Sequence, residues 1–206
     1  ACAFHYNRAT VREPGVEHVP RAILSEAAMT DFLVRQAETS DARAYIRLIK
    51  GILSEQPPVD TPYDRSEFDP DPEAMGLRIA GYPRTGNSLF LLAFASGASS
   101  RPIGVLTCAG GTLKADRHAT ELGIYVEKAW RGQGAGASLM MAAVQGGREN
   151  RQIERIALDV MTASARAIRL YERFGFEREG VRRRAYKRNG QPVDMLMMAL
   201  ILKKDS

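Results

Sequence analysis

Cysteine and histidine are scarce in this chain. Its 206 residues include two cysteines, Cys2 and Cys108, and three histidines, His5, His18 and His118. Two thiols so far apart make neither a disulfide framework nor a zinc pattern, and the scattered histidines lack metal-ligand spacing. No metal is expected, and a reducing cytoplasm is the expected compartment. Long apolar runs are missing too. "SLFLLAFA" at 88–95 has the length of a strand and is far too short for a bilayer, so no membrane role is expected. No uninterrupted apolar stretch follows basic residues near the beginning, so no signal peptide is read there. Neither charge sign dominates. The 29 basic and 24 acidic residues leave a net charge of +5, an excess that suits an anionic cofactor or a nucleic acid without choosing between them.

What is present is an ordinary globular composition, 45% hydrophobic and 26% charged, long enough for one domain with a proper core. Residues 1–28 read as an extension, an arm or part of an alternative start. From Phe32 to residue 202 the pattern is regular. "FLVRQA" reads as a strand, with Phe32, Val34 and Gln36 sharing a face. "TSDA" offers a helix N-cap ahead of Tyr45, Leu48, Ile49 and Ile52, which recur at helical spacing. A loop over 54–73, rich in Pro and Asp, leads to a short helix opened by Pro72. Three strands follow, at 88–95, in "PIGVLTCAGG" and in "ATELGIYVE" (119–127). A helix comes next, with Leu139, Ala143 and Val144 on its inner face, and then the strand "IERIALDVM". In "SARAIRLYERFGF", Ala167, Leu170, Tyr171 and Phe174 mark a helix that Gly175 stops. Two last strands flank Asn189-Gly190, a hairpin turn.

Between the third of the middle strands and the next helix stands "WRGQGAG", residues 130–136. The first N–H groups of a helix lack internal partners, and its dipole makes that end positive. Glycines let a phosphate come close to those groups. A plain glycine turn and a backbone anion site fit this stretch equally. The spacing is neither a Walker loop nor a dinucleotide fingerprint, because no Lys-Ser/Thr follows and Gly136 comes one position early.

Two motifs together carry a resemblance. Arg131-Gly132-Gln133-Gly134-Ala135-Gly136 matches the Arg/Gln-x-x-Gly-x-Gly/Ala signature of the GCN5-related N-acetyltransferase (GNAT) superfamily. "LDVMTASARAIRLYERFGF", with Ala167, Tyr171, Gly175 and Phe176 in place, matches its second signature. The chain resembles that superfamily over about residues 32–202, the expected acetyltransferase domain. The resemblance implies an α/β fold: a mixed, mostly antiparallel, splayed sheet of about seven strands with helices on both faces.

It also implies a chemistry. Acetyl-coenzyme A would lay its pyrophosphate on Arg131, Gly132, Gln133, Gly134, Ala135 and Gly136. Its pantetheine arm would pair with the strand at Ile124, Tyr125 and Val126, where an N–H polarises the thioester carbonyl. Tyr171 would protonate the leaving thiolate, and its place on an apolar face is equally a packing role. Glu121 would deprotonate the acceptor amine, directly or through a water, unless it is a plain surface carboxylate. Ser164 stands where the family often has Asn; capping the following helix is the preferred reading, a cofactor contact the other. The acceptor would be a primary amine on a small molecule or amino acid, or a protein N-terminus, and a homodimer is in keeping with the family. Two other classes stay open: a non-catalytic acyl-coenzyme A sensor, and a nucleic-acid binder through the basic run 182–188. In that run a solvated face is preferred, because charges in a hairpin alternate between faces. Cys108 reads as core rather than nucleophile. Asp60, Asp64, Asp69 and Asp71 of the long loop read as an exposed turn-rich segment before an amine-binding one.

Overall fold

The computed structural model describes residues 32–56, 59, 61, 65–97, 101–188 and 190–202. The extension at 1–28, with Cys2, His5 and His18, lies outside the described residues, as do Asp60, Asp64 and Asn189. The elements follow the expected order: β1 (Phe32–Gln36), α1 (Ala42–Leu53), α2 (Pro72–Gly81), β2 (Leu89–Ala95), β3 (Pro102–Gly110), β4 (Ala119–Val126), α3 (Ala135–Glu149), β5 (Arg155–Met161), α4 (Ala165–Arg173), β6 (Glu177–Arg188) and β7 (Gln191–Ile201). The strands form one seven-stranded sheet in the order β1-β2-β3-β4-β5-β7-β6. Every neighbouring pair is antiparallel except β4 and β5.

Helices cover both faces, and the alternation along each strand splits the core in two. In β2, Leu91 and Ala93 join a cluster with Leu139 and Met140 of α3 and Ile168 and Tyr171 of α4. Phe90, Leu92 and Phe94 turn the other way, against Tyr45, Ile49 and Ile52 of α1 and Met75 and Ile79 of α2. That two-sided burial explains the unbroken apolar run at 88–95. The second cluster takes no residue from β5, β6 or β7.

Three local expectations are corrected. "TSDA" is not a simple cap: Thr39–Asp41 forms a single 3₁₀ turn, and Asp41 closes a reciprocal box with Glu38. Asp41 also takes a two-pronged hydrogen bond from Arg35, at 2.7 and 2.8 Å. Ser164 stands at the N-cap position of α4, but its side chain makes no cap hydrogen bond. Its ψ of 58° departs from the extended backbone that aims a capping oxygen at the first turn. The hairpin does not simply alternate either. Arg182 pairs with Met195 and Tyr186 with Val193, so residues 183–185 bulge opposite Asp194. Arg184 takes a left-handed φ of 52°, held by its N–H donating to Asp194 Oδ1 at 2.6 Å.

Candidate active site

The glycine loop leads straight into α3. A 3₁₀ turn, Lys128–Trp130, brings the chain out of β4. Trp130 anchors the loop edge-on against Phe32 of β1, with ring centroids 6.1 Å apart. Gly132 and Gly134 have φ of 83° and 106°, conformations that side chains resist. Gly134 is the N-cap of α3 and has no side chain with which to cap it. The N–H groups of Ala135, Gly136 and Ala137 open the helix without an intrahelical acceptor. A positive helix end faced with bare backbone therefore stands where the sequence places Arg131 to Gly136.

Three side chains in and beside the loop behave in ways the sequence does not show. Arg131 does not stand free over the loop. Its Nε donates to Val126 O at 2.8 Å and its Nη2 to Glu55 Oε2 at 2.6 Å. Glu55 also accepts from the Lys128 N–H at 2.8 Å, so it ties the segment after α1 to the end of β4. Arg166 of α4 is the cation lying over the loop. A Cβ built on Gly132 would meet its Nη2 at 2.4 Å, and it has no acidic partner among the described residues. Gln133 donates its side-chain amide to Ala129 O at 2.5 Å, a contact inside the turn.

β4 has two edges of different character. At one end the Glu127 N–H donates to Ile103 O at 2.9 Å; at the other the Gly111 N–H donates to Ala119 O at 3.1 Å. The alternation of an antiparallel ladder then turns the backbone groups of odd-numbered residues toward β3 and of even-numbered residues toward β5. His118 O, accepting from the Glu154 and Arg155 N–H groups, fits this parity. β5 pairs with β4 only at Ala119, Thr120 and Glu121. Beyond Glu121 the strands splay apart, and the backbone groups of Ile124 and Val126 that face β5 have no strand partner. Arg131 takes the Val126 carbonyl, which leaves the Val126 N–H and both groups of Ile124. Tyr125 bonds to β3 through its backbone, so only its side chain is turned to the site. It packs beside the second cluster, with its phenol 3.1 Å from Thr61 Oγ1.

Tyr171 and Glu121 approach the splay from opposite faces. Tyr171 lies in the first cluster, 7% exposed, with its ring tilted against Phe176. Burial pushes its phenol well above the ordinary tyrosine range, and the nearby Tyr125 phenol adds to the shift. It remains protonated at any physiological pH, and no described residue hydrogen-bonds to its hydroxyl. Glu121 is half-buried on the face of α1 and α2, at the last residue paired with β5. Cys108 is buried, and burial pushes its thiol up to about 12, which makes it an inert core residue. Asp69 pairs with Lys50 at 2.5 Å, and Asp71 caps α2 by accepting from the Ala74 N–H at 2.8 Å. Among the described residues no group of three His, Cys, Asp or Glu side chains can hold a metal ion. No described helix is long and apolar enough to cross a membrane.

Known proteins share this fold. The Acetyltransferase (GNAT) family matches residues 52–176. An L-amino acid N-acetyltransferase of Escherichia coli is 33% identical over 84 residues; the match spans 41% of this chain and about half, 52%, of that relative's length. An acetyltransferase of the GNAT family from Streptococcus pneumoniae superposes with a TM-score of 0.77 at 23% identity, covering 84% of this chain and 99% of that one. A phosphinothricin acetyltransferase from Sinorhizobium meliloti, solved in complex with acetyl-coenzyme A, gives a TM-score of 0.67 at 20% identity, with coverages of 84% and 89%.

Proposed function

The chain belongs to the Acetyltransferase (GNAT) family, and from that premise we propose that it moves an acetyl group from acetyl-coenzyme A to a primary amine of a small molecule or amino acid. One observation carries the reading: the β4–β5 ladder ends at Glu121, and the strand edge it leaves open runs toward the uncapped start of α3. An unpaired strand edge suits the amide-bearing arm of coenzyme A, and a bare helix N-terminus suits its pyrophosphate. The E. coli relative, named for L-amino acids, supports an amino-acid acceptor.

The roles follow from what each group can do. The N–H groups of Gly134 to Gly136 and the Arg166 guanidinium hold the pyrophosphate. Gly132 allows that approach because it has no Cβ. Arg131 contributes by fixing the end of β4 through Glu55 and Val126 O. The free groups of Ile124 and the Val126 N–H pair with the arm, and one N–H polarises the thioester carbonyl. Acetyl-coenzyme A supplies an activated acyl group. Glu121, directly or through a water, takes the proton that makes the ammonium a nucleophile. As the new C–N bond forms and the C–S bond breaks, Tyr171 donates toward the leaving sulfur and is reprotonated from solvent. Ser164, at the start of α4, stays in the proposal as a cofactor contact.

The experiment is release of free coenzyme A thiol against a panel of amines, amino acids and peptides, with Tyr171→Phe alongside. Release with a defined amine that falls sharply in the mutant is the expected result. Acetyl-coenzyme A binding with no release from any amine would instead favour a sensor.

A further inference from the structure

We propose that Asp159 and Arg182 read the charged head of the acceptor, and that the acceptor is a free α-amino acid. This rests on the acetyl-transfer reading above and narrows it. Asp159 lies on β5 two residues past Ala157, the last residue that pairs with β4. Its neighbours Leu158 and Val160 belong to the cluster under α3 and α4, so Asp159 faces the other side. Glu121 faces that side as well, because residues paired across a parallel ladder share a face and Glu121 pairs with Ala157. Two carboxylates thus flank the mouth of the splay, one on each strand, on the face where the second cluster stops short of β5.

Arg182 of β6 reaches Asp159 Oδ2 from Nη1 at 2.9 Å and Met197 Sδ from Nη2 at 3.9 Å. Asp159 is 9% exposed and Arg182 is 52% exposed. The pair therefore presents its cationic end outward and retains donors among the five of a guanidinium. Next to it the bulge carries Arg183 and Arg184, and Lys187 follows; their side chains have no acidic partner among the described residues. An α-amino acid bears an ammonium and a carboxylate on one carbon. It can lie head to tail along a carboxylate and guanidinium 2.9 Å apart, ammonium toward Asp159 and Glu121, carboxylate toward Arg182. A polyamine or a lysine side chain brings only positive charge to this arginine-rich rim. A peptide N-terminus has lost the neighbouring carboxylate.

The test compares kcat/KM for the twenty L-amino acids, their carboxamides, a diamine and a peptide, with wild type, Arg182→Ala, Arg182→Lys and Asp159→Asn. Wild type is expected to prefer the best free acid over its carboxamide by about 10–100-fold, the scale of one charge-assisted hydrogen bond. Arg182→Ala should bring that ratio near one through KM for the acid, with KM for acetyl-coenzyme A unchanged. Arg182→Lys should restore part of the preference, which separates recognition from a merely structural ion pair. Asp159→Asn should weaken acid and carboxamide alike. A wild-type enzyme that acetylates carboxamide, diamine or peptide as well as the free acid overturns the head-group assignment and leaves acetyl transfer standing. So does an Arg182→Ala enzyme that keeps the preference. If that variant fails to fold, the wild-type ratio and Arg182→Lys decide. Failure to acetylate any acceptor overturns both readings.

Discussion

Tyr171→Phe should separate stability from activity. The ring is packed in the first cluster against Phe176, and phenylalanine keeps that packing. The residue is 7% exposed and its hydroxyl has no described hydrogen-bond partner, so its removal leaves no polar group stranded. A buried unpartnered hydroxyl costs roughly 1–3 kcal/mol. Part of that is recovered in the mutant, and the variant should be as stable as wild type or more stable by up to about 1 kcal/mol. Activity should move the other way. A phenol at ~10 is already a weaker acid than a thiol at ~8.5, and burial widens the gap. Tyr171 is thus better at stabilising a developing thiolate by hydrogen bonding than at complete transfer ahead of it. The loss should sit near the low end of acid–base effects, about 100-fold in kcat, or about 2.7 kcal/mol, with little change in KM for acetyl-coenzyme A. Thiol release at saturating substrates gives the first number and a denaturant midpoint the second. A kcat within threefold of wild type would refute the donor role. An alkaline fall in wild-type kcat between pH 8 and 10 that disappears in the mutant would instead refute the raised phenol, which does not titrate there. A stability loss well above 1 kcal/mol would refute the account of the hydroxyl.

Arg166→Ala should raise KM for acetyl-coenzyme A several-fold and leave kcat nearly intact, because the cation lies over Gly132 and far less near the reacting atoms. Glu55→Ala strands the Lys128 N–H and frees Arg131, and should cost about 1–3 kcal/mol by chemical denaturation, with Glu55→Gln milder. Cys108 should resist alkylation at pH 8 in peptide mapping of the folded protein. Its folded thiol ionises at about 12 against a reference of 9.0, so its contribution is complete below pH 9 and is lost as pH rises toward 12, at about 1.4 kcal/mol per unit in denaturation measured against pH. Glu179, held below its ordinary range by Arg155, contributes above pH 4.5 and is lost as the pH falls further, a fall that Arg155→Ala should blunt in acid unfolding.

The fold was legible because periodicity and punctuation agreed along nearly the whole described chain. Tyr45, Leu48, Ile49 and Ile52 are all buried in α1, and Pro72 opens α2 where a first-turn proline belongs. The glycine loop was legible because its turn depends on backbone that only small residues allow, with Gly132 and Gly134 at positive φ. What failed depends on side-chain direction, which spacing does not encode. Arg131 has the motif position but reaches Glu55, 76 residues earlier in the chain. Ser164 has the capping residue type without the capping dihedral. Arg166 gave no signal beyond its charge. Asp159 sits in an apolar run and reads as a strand residue until β6 brings Arg182 beside it.

β4 shows why these two kinds of information separate. Leu122, Ile124 and Val126 direct their side chains to the cluster under α3 and α4. Glu121 and Tyr125 direct theirs to the opposite face. The backbone groups of the even residues point along the sheet, toward β5. One strand thus has a surface toward the first cluster, a surface toward the second cluster and a polar edge, and the third opens only because pairing stops after three residues. The alternation of the first two is written in the sequence as a period of two. The opening of the third is not, because it depends on where β5 turns away into α4. A substitution that extended the β4–β5 ladder past Glu121 would leave every side-chain direction unchanged and remove the edge on which the cosubstrate is proposed to lie.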